Sequence, residues 1–249
     1  MNSTAFKGLW KKEWIMMRGY YATVMVFNIL WLLFAPLMME TGRYISTTSA
    51  LMIVHMFYMA GMVLHSFNKE ADHLDITLHS PRSGFGLASV KMLQSMTFYF
   101  FSLALVVTFG IFTAGRELTL ELSQISGLFI RMSVFLSGIG LTFAFILFLL
   151  WSLHQLMKKY IGGLSVIVCI GLFFAITGLI SSIQGSNLYE TLTAFGPQFF
   201  AYERGGPVGM IYFDFGVKAL TVGKIAFFLL LNGILLSLGM WVLDRKVEA

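Results

Sequence analysis

The sequence predicts an all-α integral membrane protein. It has six transmembrane helices, an N-terminal amphipathic interfacial helix, and a short cytoplasmic helix between helices two and three. Three observations lead there. First, the 249 residues are 57% hydrophobic and 12% charged, against about 25% charged in an ordinary soluble domain. A soluble fold of this length could not hide so much apolar surface. Second, six long runs contain no Asp, Glu, Lys or Arg. Third, Lys and Arg fall unevenly on the loops that alternate sides of such a bundle.

Residues 4–18 read as the amphipathic helix, within a first segment at 1–20. Phe6, Leu9, Trp10, Trp14 and Met17 recur at steps of three and four, while Lys7, Lys11, Lys12 and Arg18 take the other faces. Such a helix is expected to lie in the headgroup layer with its Trp pair at the interface and its lysines near anionic lipid. The first twenty residues spread charge among aromatics and show no small-residue cleavage site, unlike a signal peptide.

Residues 21–249 carry the spans. The uncharged runs are 19–39, 44–68, 92–115, 132–157, 160–189 and 225–243, and a helix crossing the hydrocarbon core needs about 20 apolar residues. The fifth run is too long for one helix, and its apolar heart ends near Ile183. Backbone groups in lipid must be satisfied internally, so continuous runs are helices. With the N-terminus inside, Lys7, Lys11, Lys12, Arg18, Lys69, Arg82, Lys91, Lys158, Lys159, Arg245 and Lys246 face the cytoplasm. Arg43, Arg116, Arg131, Arg204, Lys218 and Lys224 face out, eleven against six. Both termini are therefore expected in the cytoplasm. The link 184–224 mixes Gly and Pro breaks with short aromatic clusters. It reads either as one or two short helices dipping into the outer leaflet or capping a cavity, or as an interfacial loop with aromatic anchors.

Ala60-Gly61, Ser137-Gly138-Ile139-Gly140, Gly162-Gly163 and Gly171 with Ala175 are placed to let helices approach closely. Ionisable groups within the runs are few. His55 has no acid in any run to pair with, so it reads as a neutral hydrogen bonder between helices, with Asn28 and Asn232 as the other strongly polar members. The lone Cys169 allows no intrachain disulfide. His65, His73 and His79 are spaced by eight and six residues, which does not suit ligands on one helix face. No P-loop, dinucleotide fingerprint or serine-nucleophile motif occurs. A formal charge of +5 could suggest nucleic acid, but the basic residues gather beside apolar runs, where anionic lipid is the better partner.

The most polar stretch, residues 68–91, reads "NKEADHLDITLHSPRSGFGLASVK". Leu74 and Leu78 would form an apolar ridge on a short helix with Glu70, Asp72 and Asp75 around it, ended by Ser80-Pro81. A helix of that kind suits a groove on another protein. The pattern Glu70-x-x-x-Leu74-Asp75-x-x-Leu78-x-Ser80-Pro81, with Lys91 opening the third span, resembles the coupling segment of ABC-2-type transporter permeases. Asp72 and His73 stand where Gly-Thr is usual in that family, and Thr77 where leucine is frequent. The layout of the whole chain resembles that family too.

The resemblance implies the membrane subunit of an ABC exporter. Its ATPase-coupling contact would be Glu70, Leu74, Asp75, Leu78, Ser80 and Pro81. Lys158 and Lys159 would make a second cytoplasmic contact, and Trp10, Lys11, Lys12, Glu13 and Trp14 would form the interfacial elbow helix. It further implies no cofactor in this chain, since ATP and Mg would be held by a separate ABC-type ATP-binding subunit, so the chain would be no enzyme itself. A second permease copy or a homologous permease would complete the membrane part, with membrane lipids around it and no nucleic acid. The expected place is the bacterial plasma membrane. The aromatic link and carboxylate-free runs favour an amphipathic or apolar cargo, such as an antimicrobial peptide or drug. A lipid or glycan exporter and a non-transporting receptor are the other readings.

Overall fold

A computed structural model describes residues 3–38, 43–71, 84–117, 122–201 and 219–248. Helices dominate it: α1 (Ser3–Phe34), a 3-10 turn (Ala35–Met38), α2 (Arg43–Glu70), α3 (Gly84–Glu117), α4 (Leu122–Ile161), α5 (Leu164–Gln184), α6 (Asn187–Thr193) and α7 (Val222–Glu248). A two-stranded ribbon, β1 (Gln198–Ala201) and β2 (Ala219–Thr221), lies between the last two. Among the described residues, six helices are long and apolar enough to cross a membrane. This is the architecture of an all-α multi-pass membrane protein, and each of the six uncharged runs supplies the apolar part of one such helix.

The chain forms two compact units, residues 1–144 and 145–249, divided within α4. In the first, α1, α2 and α3 pack on one another. The buried row of α1 is Leu9, Glu13, Met17, Tyr21, Val24, Asn28 and Leu32, at steps of three and four that keep one helix face inward. Proline cannot continue a helix, and the α-helix stops at Phe34, two residues before Pro36. Close helix approach is visible at Gly140 of α4, where an added Cβ would sit 3.0 Å from the Met56 carbonyl oxygen of α2.

In the second unit, Ile146, Leu149, Leu150, Leu235 and Val242 form a core. Cys169, Leu172, Phe173, Ile176 and Ile180 of α5 pack against it. The turn from α4 to α5 uses Gly162 at φ +55, a left-handed conformation that glycine adopts without steric cost.

In two places the structure is more specific than the expectation. The amphipathic segment and the first span were expected as separate elements, but α1 runs unbroken over Ser3–Phe34. Its Leu9 packs with Leu87 and Val90 of α3, and Phe6 and Trp10 lie against the same cluster. That contact packs the N-terminal part of α1 on α3. The link before the last span was expected to be a loop or short helices. One short helix, α6, is present, capped by Ser186 accepting from the Tyr189 N–H. It is followed by the antiparallel ribbon, which pairs Gln198 with Thr221 and Ala201 with Ala219. The Thr193 carbonyl accepts from the Thr221 hydroxyl, which ties β2 to α6, and the Phe195 carbonyl accepts from the Gly223 N–H, which ties the segment after α6 to α7. Residues 202–218 lie outside the described residues.

Candidate functional site: a buried charge junction

The feature with most chemical potential joins α1, α2 and α3 near one end of the first unit. The Lys91 side chain, 1% exposed, places its ammonium 2.8 Å from Glu13 Oε2 and 3.2 Å from Glu70 Oε2. It donates to Ser66 Oγ at 2.7 Å and lies 3.2 Å from the Ser66 carbonyl. The Ser66 hydroxyl donates in turn to Glu13 Oε1. Lys12 donates to Glu70 Oε1 and reaches the surface, with its side chain 55% exposed. The Phe67 ring centroid lies 5.5 Å from the Lys91 nitrogen and adds an aromatic face to the junction.

Each partner comes from a local rule. Glu13 falls on the buried face of α1, one turn from Leu9 and one from Met17. Ser66 and Glu70 are four apart on α2, so they present to the same side. Lys91 follows Leu87 and Val90 on the face of α3 that receives α1. Two carboxylates and two ammonium groups then meet with no net charge. Desolvating each ion costs several kcal/mol, which mutual attraction and hydrogen bonds must offset. Lys91 meets that condition with several oxygen neighbours. The Glu70 Oε2 contact is an ion pair without hydrogen-bond alignment.

One or two turns further along, Tyr21 stacks on Phe98 with ring centroids 4.2 Å apart. Deeper still, Asn28 Nδ2 donates to Ser102 Oγ at 2.7 Å, and Tyr58 donates to Asn28 Oδ1 at 3.1 Å. His55 Nδ1 faces the Leu51 carbonyl at 2.8 Å, and its Nε2 faces Ser102 Oγ at 3.0 Å. A carbonyl can only accept, so Nδ1 carries the hydrogen and Nε2 accepts from Ser102. His55 is thus the interhelix hydrogen bonder the sequence suggested. His65 does not join it. It stacks on Tyr20 of α1, with centroids 4.7 Å apart.

The sequence-expected residues divide into three groups. Leu74, Asp75, Leu78, Ser80 and Pro81 lie outside the described residues. Glu70, expected as a contact for another protein, turns its carboxylate into its own chain. Glu13, expected as one residue of an interfacial elbow, is a core residue, while Lys11 and Trp14 of the same segment are exposed and Trp10 is half-buried. Lys158 and Lys159 occupy the exposed last turn of α4, where positive charge suits the helix dipole.

Sequence reasoning missed the partnership of Glu13 with Lys91 because it looked for acids only inside the uncharged runs. The available signal was the row Leu9, Glu13, Met17, Tyr21, in which one acid keeps apolar company. No group of three or more His, Cys, Asp or Glu that could hold a metal occurs among the described residues.

The arrangement can hold three helix segments in fixed register, and it brackets the segment 72–83. Glu70 ends the helix before that segment, and Lys91 lies two turns into the helix after it. No family model matches this chain, and no curated protein or solved structure is significantly similar to it.

Proposed function

We propose that the chain is the membrane-spanning permease subunit of an ATP-driven exporter of the ABC-2 type. In this reading a separate ATP-binding subunit docks on residues 68–82 and holds the nucleotide and Mg. The observation that carries the reading is the charge junction, because it ties both flanks of the proposed docking segment to α1. The six apolar helices and the pattern from Glu70 to Lys91 support it as well.

A push delivered to Leu74 and Leu78 reaches the bundle through the flanking helices. At one flank Glu70 grips Lys91 and Lys12. At the other Lys91 grips Glu13. The three helix segments therefore move together, as transmission from a motor on another chain requires. Glu70 acts here as an anchor of the segment rather than as its outer contact. Lys158 and Lys159, exposed at the end of α4, supply a second contact. Both termini are cytoplasmic and the protein resides in the bacterial plasma membrane, working with a second permease. The cargo is amphipathic or apolar, a reading supported by the carboxylate-free apolar runs and the aromatic residues of the link 184–224.

The test is purification of the tagged full-length chain from its native membranes. The reading expects an ABC-type ATPase to co-purify with the unaltered chain and to be lost from the double variant Leu74→Asp/Leu78→Asp, which still inserts. Retention of that ATPase by the variant, or its absence from the unaltered chain, would remove the reading.

A further inference from the structure

We propose that the exposed basic residues of α1 and of the end of α2 bind anionic glycerophospholipid headgroups, with Arg18 and Lys69 each a principal contact. The inference does not depend on the transport reading. It rests on charge, depth and continuity of the helix.

Five basic residues lie on α1 and the end of α2 outside the buried core: Lys7, Lys11, Lys12, Arg18 and Lys69. Lys12 is neutralised by Glu70. The other four are exposed, and no acidic partner is found for them among the described residues. Lys7, Lys11, Trp14 and Arg18 follow one another at steps of four, three and four, so they line one stripe of the helix. Trp14 is 49% exposed between two of these charges, the place where an amphipathic ring suits a headgroup layer.

Depth decides which charges touch lipid. Arg18 directly precedes the uncharged run 19–39, and Lys69 directly follows 44–68. Both flank an uncharged run, so in this proposal the hydrocarbon boundary lies at their level. Because α1 is a single helix, residues before Arg18 rise away from that boundary by 1.5 Å each. Trp14 stands about 6 Å above it, Lys11 about 10 Å and Lys7 about 16 Å. The headgroup layer on each side is only about 5–8 Å thick. A helix lying in the plane would instead bring all the lysines to the same depth. The continuous α1 therefore predicts a graded site: Arg18 and Lys69 strong, Lys11 marginal, Lys7 outside.

The experiment uses the full-length chain in bilayer nanodiscs containing phosphatidylcholine and phosphatidylglycerol, with retained lipid counted by native mass spectrometry. Each basic residue close to an anionic surface contributes about 1 kcal/mol, or about fivefold in partition. Enrichment of phosphatidylglycerol should fall about fivefold in Arg18→Gln and in Lys69→Gln, persist in Arg18→Lys, and stay unchanged in Lys7→Gln. Three results would overturn the proposal: no enrichment in the unaltered chain, an equal loss in Lys7→Gln and Arg18→Gln, or abolition of the enrichment by inorganic phosphate at matched ionic strength.

Discussion

The bundle of α1, α2 and α3 and the single helix α5 are both apolar enough to cross a membrane, yet they are built on different principles. The bundle carries ions, amides, hydroxyls and an imidazole in its interior, and Glu13, Asn28, His55, Ser66, Glu70, Lys91 and Ser102 reach across to another helix. In α5 none of the most apolar window is buried within the chain, and Thr177 turns its hydroxyl back to the Phe173 carbonyl of its own helix at 2.8 Å. One side of α5 packs on aliphatic residues of α4 and α7. The other leaves Ile167, Ile170, Phe174 and Leu179 exposed. Lipid tails are as apolar as leucine, so hydrophobicity places a helix in the membrane without choosing its neighbour. Polar groups and close backbone contacts make that choice. α5 makes fewer such contacts, Ser165 Oγ with His154 Nδ1 of α4 at 2.8 Å and Cys169 Sγ with the Leu150 carbonyl at 3.4 Å, so the contrast is one of degree: charged register in the first bundle, mostly apolar packing around α5.

Substitutions can test that difference. Lys91→Met should have the largest effect, because it leaves Glu13 buried without a cation. Stranding one partner of a buried pair costs roughly 3–5 kcal/mol, visible as a lower unfolding midpoint of the full-length chain in detergent. A bundle that tolerated this change would be held by packing alone. Next comes a matched pair of glycines. Gly140→Leu forces a side chain against the Met56 backbone and should cost about 1–3 kcal/mol. Gly171→Leu on α5 meets nothing within 4 Å and should change stability by less than about 0.5 kcal/mol, measured in the same thermal assay. Equal losses would erase the distinction between the two regions. The smallest expected effect is Ser102→Ala, which unlinks Asn28 from His55. Interhelix hydrogen bonds in membranes average about 0.6 kcal/mol, so a small fall in midpoint with unchanged helix content is the expected result.

The sequence carries much of the fold and less of the site, for reasons that particular residues make plain. The six runs are continuous and uncharged, and local composition is enough to place them in helices. His55 was readable because a lone imidazole among apolar residues has few options other than a hydrogen bond. Gly171 shows the limit of small-residue patterns. It has the same spacing logic as Gly140, yet only Gly140 meets a neighbouring backbone. Glu13 shows a second limit. Its partner Lys91 is 78 residues away, and helical periodicity reports which face a residue occupies, not which charge it will meet there. The ribbon of β1 and β2 was not legible either, since Gln198–Ala201 is too short for an alternating pattern to stand out among the aromatics around it.

The central claim is that Glu13 and Lys91 act as one unit joining the flanks of segment 72–83 to α1. A double-mutant cycle on the full-length chain in detergent tests it most directly, with Glu13→Gln, Lys91→Met and the two combined, read by thermal unfolding. Each single change leaves an unbalanced charge in the core, whereas the combined change leaves Lys12 and Glu70 paired and the junction neutral. The junction predicts that the double variant is more stable than Lys91→Met alone and recovers most of the loss. Additive losses, with the double variant less stable than either single one, would contradict it.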